Sequence, residues 1–287
     1  MSELTEPARG VVTRAVREIG ATLDDIRAWL LAASGDVDVE AKTDGTPVTD
    51  ADREVDERLA VRLTEAFPDH GVLSEERDTV SPDTEWTWIV DPIDGTSNFI
   101  CRLPYWCISI ALAYQGHPVL GIIDAPVLGR RYVATLGGGT YLESRTTSLD
   151  GTTHQHRRRQ LHVREAIDWR NGSNRHVPVM LTTATARAAR GAGLRLNPRV
   201  MGSTALDLAI VAEGVAAASI AVIPKVWDVA AGVLLVTEAG GAITSLDESP
   251  LFPMPPNVEH ADRSAVVAAG PDPAYVTEIA GALLSPR

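Results

Sequence analysis

Trp86-Thr87-Trp88-Ile89-Val90-Asp91-Pro92-Ile93-Asp94-Gly95-Thr96 is the stretch on which the fold turns. Its first five residues are aromatic or β-branched, side chains that suit a pleated, half-buried surface, so residues 86–90 predict a strand. The strand runs straight into two acids, with a proline and an isoleucine between them and a glycine after. Asp, Pro and Gly all form turns. Residues 91–95 therefore read either as a plain polar turn or as acids pinned by a stiff backbone at a strand end.

Upstream, Val72-Leu73 leads into Ser74-Glu75-Glu76. Before that, Val55, Leu59 and Leu63 fall four apart and predict a helix over 51–66, with Thr49 or Asp50 as its N-cap. Val12, Val16, Ile19, Leu23, Ile26 and Leu30 predict an amphipathic helix over 7–33. A polar stretch, 34–47, joins the two, with Gly45 and Pro47 marking turns. Downstream, strands are predicted over 106–113, 119–123 and 131–135. Residues 144–174 are the least regular part; they contain His154, His156 and the run Arg157-Arg158-Arg159, expected to be a solvated loop. Then come a helix over 203–214, a strand over 218–223 and a helix over 229–239, ended by Gly240 as a left-handed cap. This mixture predicts a layered α/β (α+β) architecture.

The chain has 287 residues with 45% hydrophobic content, enough for a sizeable core, and a formal charge of -12. So acidic a field repels nucleic acid and anionic membrane, and neither is expected as a partner. An anionic ligand would need a local positive device. Cys101 and Cys107 form neither a disulfide framework nor a zinc pattern. The first ten residues carry no apolar signal-peptide core and no apolar run is long enough to span a bilayer, so a cytoplasmic protein is expected.

Three segments place carboxylates where the chain would hold them firmly: Glu75-Glu76, Asp91 with Asp94, and Asp228 after Trp227. Each has a plain reading, as a solvated acid pair, a turn and an N-cap. Together they suggest a site for Mg2+, a hard cation that takes carboxylate, carbonyl and water oxygens. Glu75, Asp91, Asp94 and Asp228 could hold two ions if Asp91 bridges them, with the Ile93 carbonyl as a further ligand beside the rigid proline. Such a pair can clamp the attacking and leaving oxygens of a phosphoryl transfer. Gly95 lets the backbone approach a phosphate, and Thr96, if it starts a helix, turns free amides toward it. The Thr96 hydroxyl could orient a water, with Glu75 near to take its proton.

The run from Asp91 through Ser97, Asn98 and Phe99 resembles the first signature of the inositol monophosphatase family, the magnesium-dependent, lithium-sensitive phosphomonoesterases. Trp227-Asp228-Val229-Ala230-Ala231-Gly232, running on to Glu238-Ala239-Gly240-Gly241, resembles the second. Lys42, Val48-Thr49-Asp50-Ala51-Asp52, Glu75-Glu76 and Gly202-Ser203-Thr204-Ala205 match in order, and the resemblance covers about residues 7–280. It implies an αβαβα sandwich like that of the fructose-1,6-bisphosphatases. It implies that Glu75, Asp91 and the Ile93 carbonyl hold one Mg2+, that Asp91, Asp94 and Asp228 hold a second, and that Glu76 joins weakly or through water. Thr96 would position the nucleophilic water with Asp52 supporting it, Asp94 would also meet substrate, and the amides of Gly95 and Thr96 would bind phosphate. Gly202, Ser203 and Thr204 would border the substrate. A homodimer is implied as well. An N-terminal half, 1–145, would carry most ligands, and a C-terminal half, 146–287, would complete the site.

One position departs. Where the inositol phosphatases carry a glutamate that bonds substrate hydroxyls, this chain has Ala221 in the substrate-binding region. Losing that acceptor should weaken selection for inositol. The implied activity is hydrolysis of a small soluble phosphate ester, an inositol-1-phosphate-like polyol or sugar phosphate. Alternatives are histidinol phosphate, fructose 1,6-bisphosphate or a 3′-phosphoadenosine nucleotide; outside catalysis, a silent metal-binding regulatory protein.

Overall fold

The computed structural model describes residues 4–32, 39–41, 47–147, 154–169, 174, 176–189, 196–246, 250–261 and 266–284. Lys42, Gly45 and most of the 34–46 turn region lie outside them. In chain order the helices are α1 Glu6–Ala32, α2 Asp50–Ala66, α3 Thr96–Ile100, α4 Thr183–Ala188, α5 Thr204–Ala212, α6 Val226–Glu238 and α7 Pro273–Leu284. The strands are β1 Val39–Ala41, β2 Pro47–Thr49, β3 Gly71–Ser74, β4 Trp86–Asp94, β5 Cys107–Tyr114, β6 His117–Ala125, β7 Arg130–Thr135, β8 Gly139–Thr147, β9 His154–Gln160, β10 Pro178–Leu181, β11 Asn197–Arg199, β12 Ala218–Ala221, β13 Ala242–Ser245 and β14 Val267–Gly270.

Strands β3 to β9 form one sheet in sequence order, a meander from β4 onward with β3 parallel on its edge. Helices α1 and α2 cover one face. Val12, Ile19, Leu23 and Ile26 of α1 and Val55, Leu59 and Leu63 of α2 are buried against Trp88, Val90, Ile108, Ile110 and Ile122. Each such side chain contributes about 1.5–3 kcal/mol relative to exposure. The stripe read from the sequence therefore faces this sheet, with Val16 on its partly buried margin.

Helices α5 and α6 pack on the other face through Leu206, Leu208, Ala230, Ala231 and Leu235. Beyond them lies a second sheet, ordered β11-β10-β12-β14-β13, with α7 packed on its outer side through Tyr275, Val276, Ile279 and Leu283. The layers run helix, sheet, helix, sheet, helix, as expected. No helix among the described residues is long and apolar enough to cross a membrane.

Three local expectations are corrected. The 144–174 segment is not simply a loop: β8 and β9 pair antiparallel, setting Arg158 opposite Glu143 and Arg157 opposite Ser144. Arg158 and Arg159 are held by partners that polarity alone concealed. Arg158 lies 4.1 Å over the Tyr141 ring, and Arg159 bonds Glu213. Strand β12 stops at Ala221, and α6 begins three residues earlier than expected, at Val226. The Lys225 amide donates to the Asp228 carboxylate at 2.9 Å, which winds Trp227 and Asp228 into the first turn.

Candidate active site

The site is built where β4 ends. Asp91 pairs with Ser109 and Asp94 with Cys107, so one extra residue is accommodated on β4 between these pairs. A bulge of this kind bends the strand and re-aims its side chains. Pro92, lacking an N–H, suits it. Asp91 is 2% exposed and Asp94 8%. Oδ1 of Asp91 is buried with no hydrogen-bond partner. Burial, then the charges of Glu75, Asp94, Asp228 and Asp52, raise the Asp91 carboxyl well above the usual range.

Asp94 points into the N-terminus of α5. Its Oδ2 accepts from Ser203 Oγ and from the Ala205 amide, both at 2.6 Å, and its Oδ1 from the Thr204 amide at 3.3 Å. These bonds favour the charged form, but burial outweighs them and the carboxyl is pushed up to about 6. Ser203 also caps α5, accepting from the Leu206 amide at 3.3 Å.

Asp228, half-buried at the start of α6, is also raised. Withdrawal from water is the largest cause, followed by the charges of Asp94 and Glu75, against the bond from the Lys225 amide. Glu75 and Glu76, both half-buried, follow β3, which ends at Ser74, and the Glu75 amide donates to the Val90 carbonyl at 3.2 Å. That bond ties the third acidic segment to β4.

Gly95 sits at φ 97, and a Cβ there would meet the Gly202 carbonyl at 3.1 Å and the Trp106 Cβ at 3.2 Å. Glycine alone fits both the backbone angle and the space. It starts α3, whose first residue Thr96 directs its hydroxyl toward the Ile93 carbonyl at 3.1 Å and Asp52 Oδ1 at 3.4 Å. Asp52 is 2% exposed; its Oδ2 accepts from the Thr49 amide at 2.8 Å, in the capping box that starts α2. The α2 cap thus reaches the α3 start.

Sequence reasoning gave no role to three neighbours. Asn98 Nδ2 donates to the Tyr105 and Met201 carbonyls at 2.6 and 2.7 Å, tying α3 to the approach of α5. The Tyr105 hydroxyl donates to Asp207 Oδ1 at 2.8 Å, and Asp207 is 1% exposed. An acid inside the apolar run Ala205-Leu206-Asp207-Leu208-Ala209 was the available signal.

Beside the acids lies a cavity of about 240 Å3, bordered by Thr182, Thr183, Ser203, Asp207, Ile223 and Asp228, with Gly202 and Thr204 also on its wall. Ala221 is not among its lining residues; it is 2% exposed within β12, opposite Val267.

Among the described residues, no three His, Cys, Asp or Glu side chains stand ready as an ion cage. Asp94 and Asp228 are instead turned onto backbone amides. The donor set nevertheless fits a hard divalent cation: these are mutually repelling carboxylates, and a buried oxygen of Asp91 has no hydrogen bond. A cation offsets that repulsion.

A five-layer sandwich with acids converging at a bulged strand end defines a phosphatase architecture. Residues 4–276 match the inositol monophosphatase family. The chain belongs to that family, whose members are phosphoric monoester hydrolases. It is 37% identical over 225 residues to a histidinol-phosphatase of Mycobacterium tuberculosis, covering 74% of this chain and 79% of that one. It is 34% identical over 220 residues to an inositol-1-monophosphatase of Mesorhizobium japonicum, covering 73% and 76%. Among solved structures, the extragenic suppressor protein suhB of Bartonella henselae superposes with a TM-score of 0.72 at 25% identity, over 93% of this chain and 98% of that one.

Proposed function

We propose that the protein hydrolyses a small soluble phosphate monoester, a polyol or sugar phosphate, using magnesium. The observation that carries this reading is Asp91, a carboxylate with an unbonded buried oxygen at the centre of the acid group. Glu75, Asp91, the Ile93 carbonyl, Asp94 and Asp228 would hold Mg2+, with Glu76 alongside, and the bound ion would draw in the anionic ester and stabilise charge on the attacking and leaving oxygens.

The chain's own groups do the remaining work. Asp52 and the Ile93 carbonyl face the Thr96 hydroxyl, which leaves its lone pairs to accept from a water and hold it in line. Glu75 takes the proton from that water. The Gly95 and Thr96 amides receive phosphate, where the absence of a Cβ permits close approach. The ester's alcohol occupies the cavity beside Gly202, Ser203 and Thr204. The proposed halves, 1–145 and 146–287, meet at this site, the first supplying all ligands but Asp228. A homodimer and a cytoplasmic setting complete the proposal. A second reading, histidinol phosphate, is supported by the 37% identity to the histidinol-phosphatase of Mycobacterium tuberculosis.

Calorimetric titration of Mg2+ into the wild type and into Asp91→Asn tests the assignment. The variant is expected to bind at least about tenfold more weakly, as loss of a ligating group implies. Equal affinity would remove Asp91 from the site.

A further inference from the structure

The acids of the proposed metal set sit on distant parts of the chain. Glu75 and Glu76 lie in the turn after β3, and Asp228 lies in the first turn of α6. Asp228 feels the charge of Glu75, so these segments repel each other when no cation lies between them. The body of α6 is fixed by close packing: a Cβ on Gly121 of β6 would lie 2.6 Å from the Ala231 carbonyl oxygen. Its first turn is less enclosed. Pro224 and Asp228 border the cavity, and Ile223 just before them is exposed.

A segment that carries none of these acids joins the two. The Ser74 amide donates to the Asp78 carbonyl at 3.0 Å and closes the turn that bears Glu75 and Glu76. The residues after that turn pair with 255–260. The Ser81 amide donates to the Val258 carbonyl at 2.9 Å, the Asn257 amide to the Ser81 carbonyl at 2.8 Å, and the His260 amide to the Thr79 carbonyl at 2.9 Å. Val80 pairs antiparallel with Glu259 between them. Ser81 is buried; its hydroxyl donates to the Pro255 carbonyl at 2.6 Å and accepts from the Val258 amide at 3.0 Å. One residue beyond His260, the Ala261 carbonyl accepts from the Lys225 ammonium. The amide of that same lysine donates to Asp228 at 2.9 Å. At its other end the segment is rooted in the core by Met254, whose amide donates to the Gly116 carbonyl at 2.8 Å.

Resting on the phosphatase reading, we infer that residues 255–261 are a strap that fixes the spacing between the Glu75-Glu76 turn and Asp228, with Lys225 and Ser81 as its positioning residues. A charged donor on a carbonyl makes a stronger bond than a neutral one, which suits Lys225 to hold against repulsion. Ligands held in place beforehand need not be gathered when the ion arrives, so the strap acts on affinity for the metal. Cutting it leaves every ligand present and lets the two segments part.

The test compares the wild type with Lys225→Met, Lys225→Arg and Ser81→Ala by calorimetric titration of Mg2+, by melting in chelator, and by p-nitrophenyl phosphate release against Mg2+ concentration. Lys225→Met should bind Mg2+ about tenfold more weakly, the effect of losing a group that orients a metal ligand. The Mg2+ needed for half-maximal release should rise by the same factor, with kcat recovered at saturating Mg2+. Lys225→Arg keeps a charged donor and should regain most of the affinity. Ser81→Ala, titrated below its melting temperature, should weaken binding in the same direction through the other end of the strap. Wild-type Mg2+ affinity in both Lys225→Met and Ser81→Ala, even with a lower melting temperature in chelator, overturns the strap while the phosphatase reading stands. A wild type that neither binds Mg2+ nor releases phosphate overturns the phosphatase reading, and the strap falls with it.

Discussion

Asp94 stands between two demands. Three bonds from Ser203 and the α5 amides hold it, yet burial keeps its carboxyl reluctant to ionise. Asparagine preserves its shape and removes the charge. Asp94→Asn is predicted to lower kcat/KM for phosphate release on the order of 100-fold or more, without lowering the melting temperature in chelator. Wild-type turnover in that variant would remove Asp94 from the metal set. Ala221 belongs to the same scale. Its place in β12 is closed to solvent, so Ala221→Glu must bury a carboxylate opposite Val267. A loss of about 1–3 kcal/mol in denaturant unfolding is expected; an unchanged midpoint would show that the side chain escapes into the cavity.

At the scale of elements, the site depends on how closely α5 and α6 approach each other. Gly232 of α6 leaves no room for a side chain: a Cβ would lie 2.4 Å from Leu208 Cδ1 and 2.7 Å from Leu208 Cβ. The Ser203 and Ala205 groups that hold Asp94 start one of these helices, and Asp228 starts the other. Gly232→Ala is predicted to cost about 1–3 kcal/mol of stability through overpacking. It should also reduce kcat/KM by pushing Asp228 away from Asp94. Loss of stability with full activity would mean that the two helices need not be this close. The elements that sequence reveals are those with a single apolar period. The helices α1 and α2 and strands β4 to β7 are legible because one face is apolar and the other polar, or because both faces are buried in aliphatic residues. Strand β9 escapes notice because its residues are all polar and its support comes from Tyr141 and Glu143 on the paired strand and from Glu213, distant in the chain. The start of α6 was displaced because Asp228 caps the helix from inside its first turn, a choice only the fold reveals.

For the whole molecule, the cost of gathering acids appears as a pH dependence. The Asp94 carboxyl, ordinarily near 3.8, is pushed up to about 6 in the folded chain. Between those values the native state keeps a proton that the unfolded chain has lost. This contribution to stability is present below the unfolded value and is lost as pH rises through the folded one. Asp91 and Asp228 shift in the same direction. A divalent cation held by these carboxylates would take the place of these protons, so stabilisation by Mg2+ should grow with pH. The rise in melting temperature on adding Mg2+ is predicted to be larger at about pH 8 than at about pH 5. An equal or reversed difference would mean that these carboxylates do not bind the ion. With a formal charge of -12 the chain has no general attraction for an anionic ester, a task that a local cation would carry. The acids at 75, 91, 94 and 228 were legible in the sequence because they sit in short polar segments at the ends of apolar runs. Asp207 and the threonines at 182 and 183 were not, because only the folding of the second sheet against α5 brings them to the same cavity.

On the proposed reading these acids form a metal-dependent phosphomonoesterase site. Phosphate release from a panel of inositol 1-phosphate, histidinol phosphate, fructose 1,6-bisphosphate and p-nitrophenyl phosphate, with Mg2+ and with chelator, tests it most directly. Release that requires Mg2+ and stops in chelator is the predicted result. Release undiminished by chelator, or none from any ester with Mg2+ present, would contradict it.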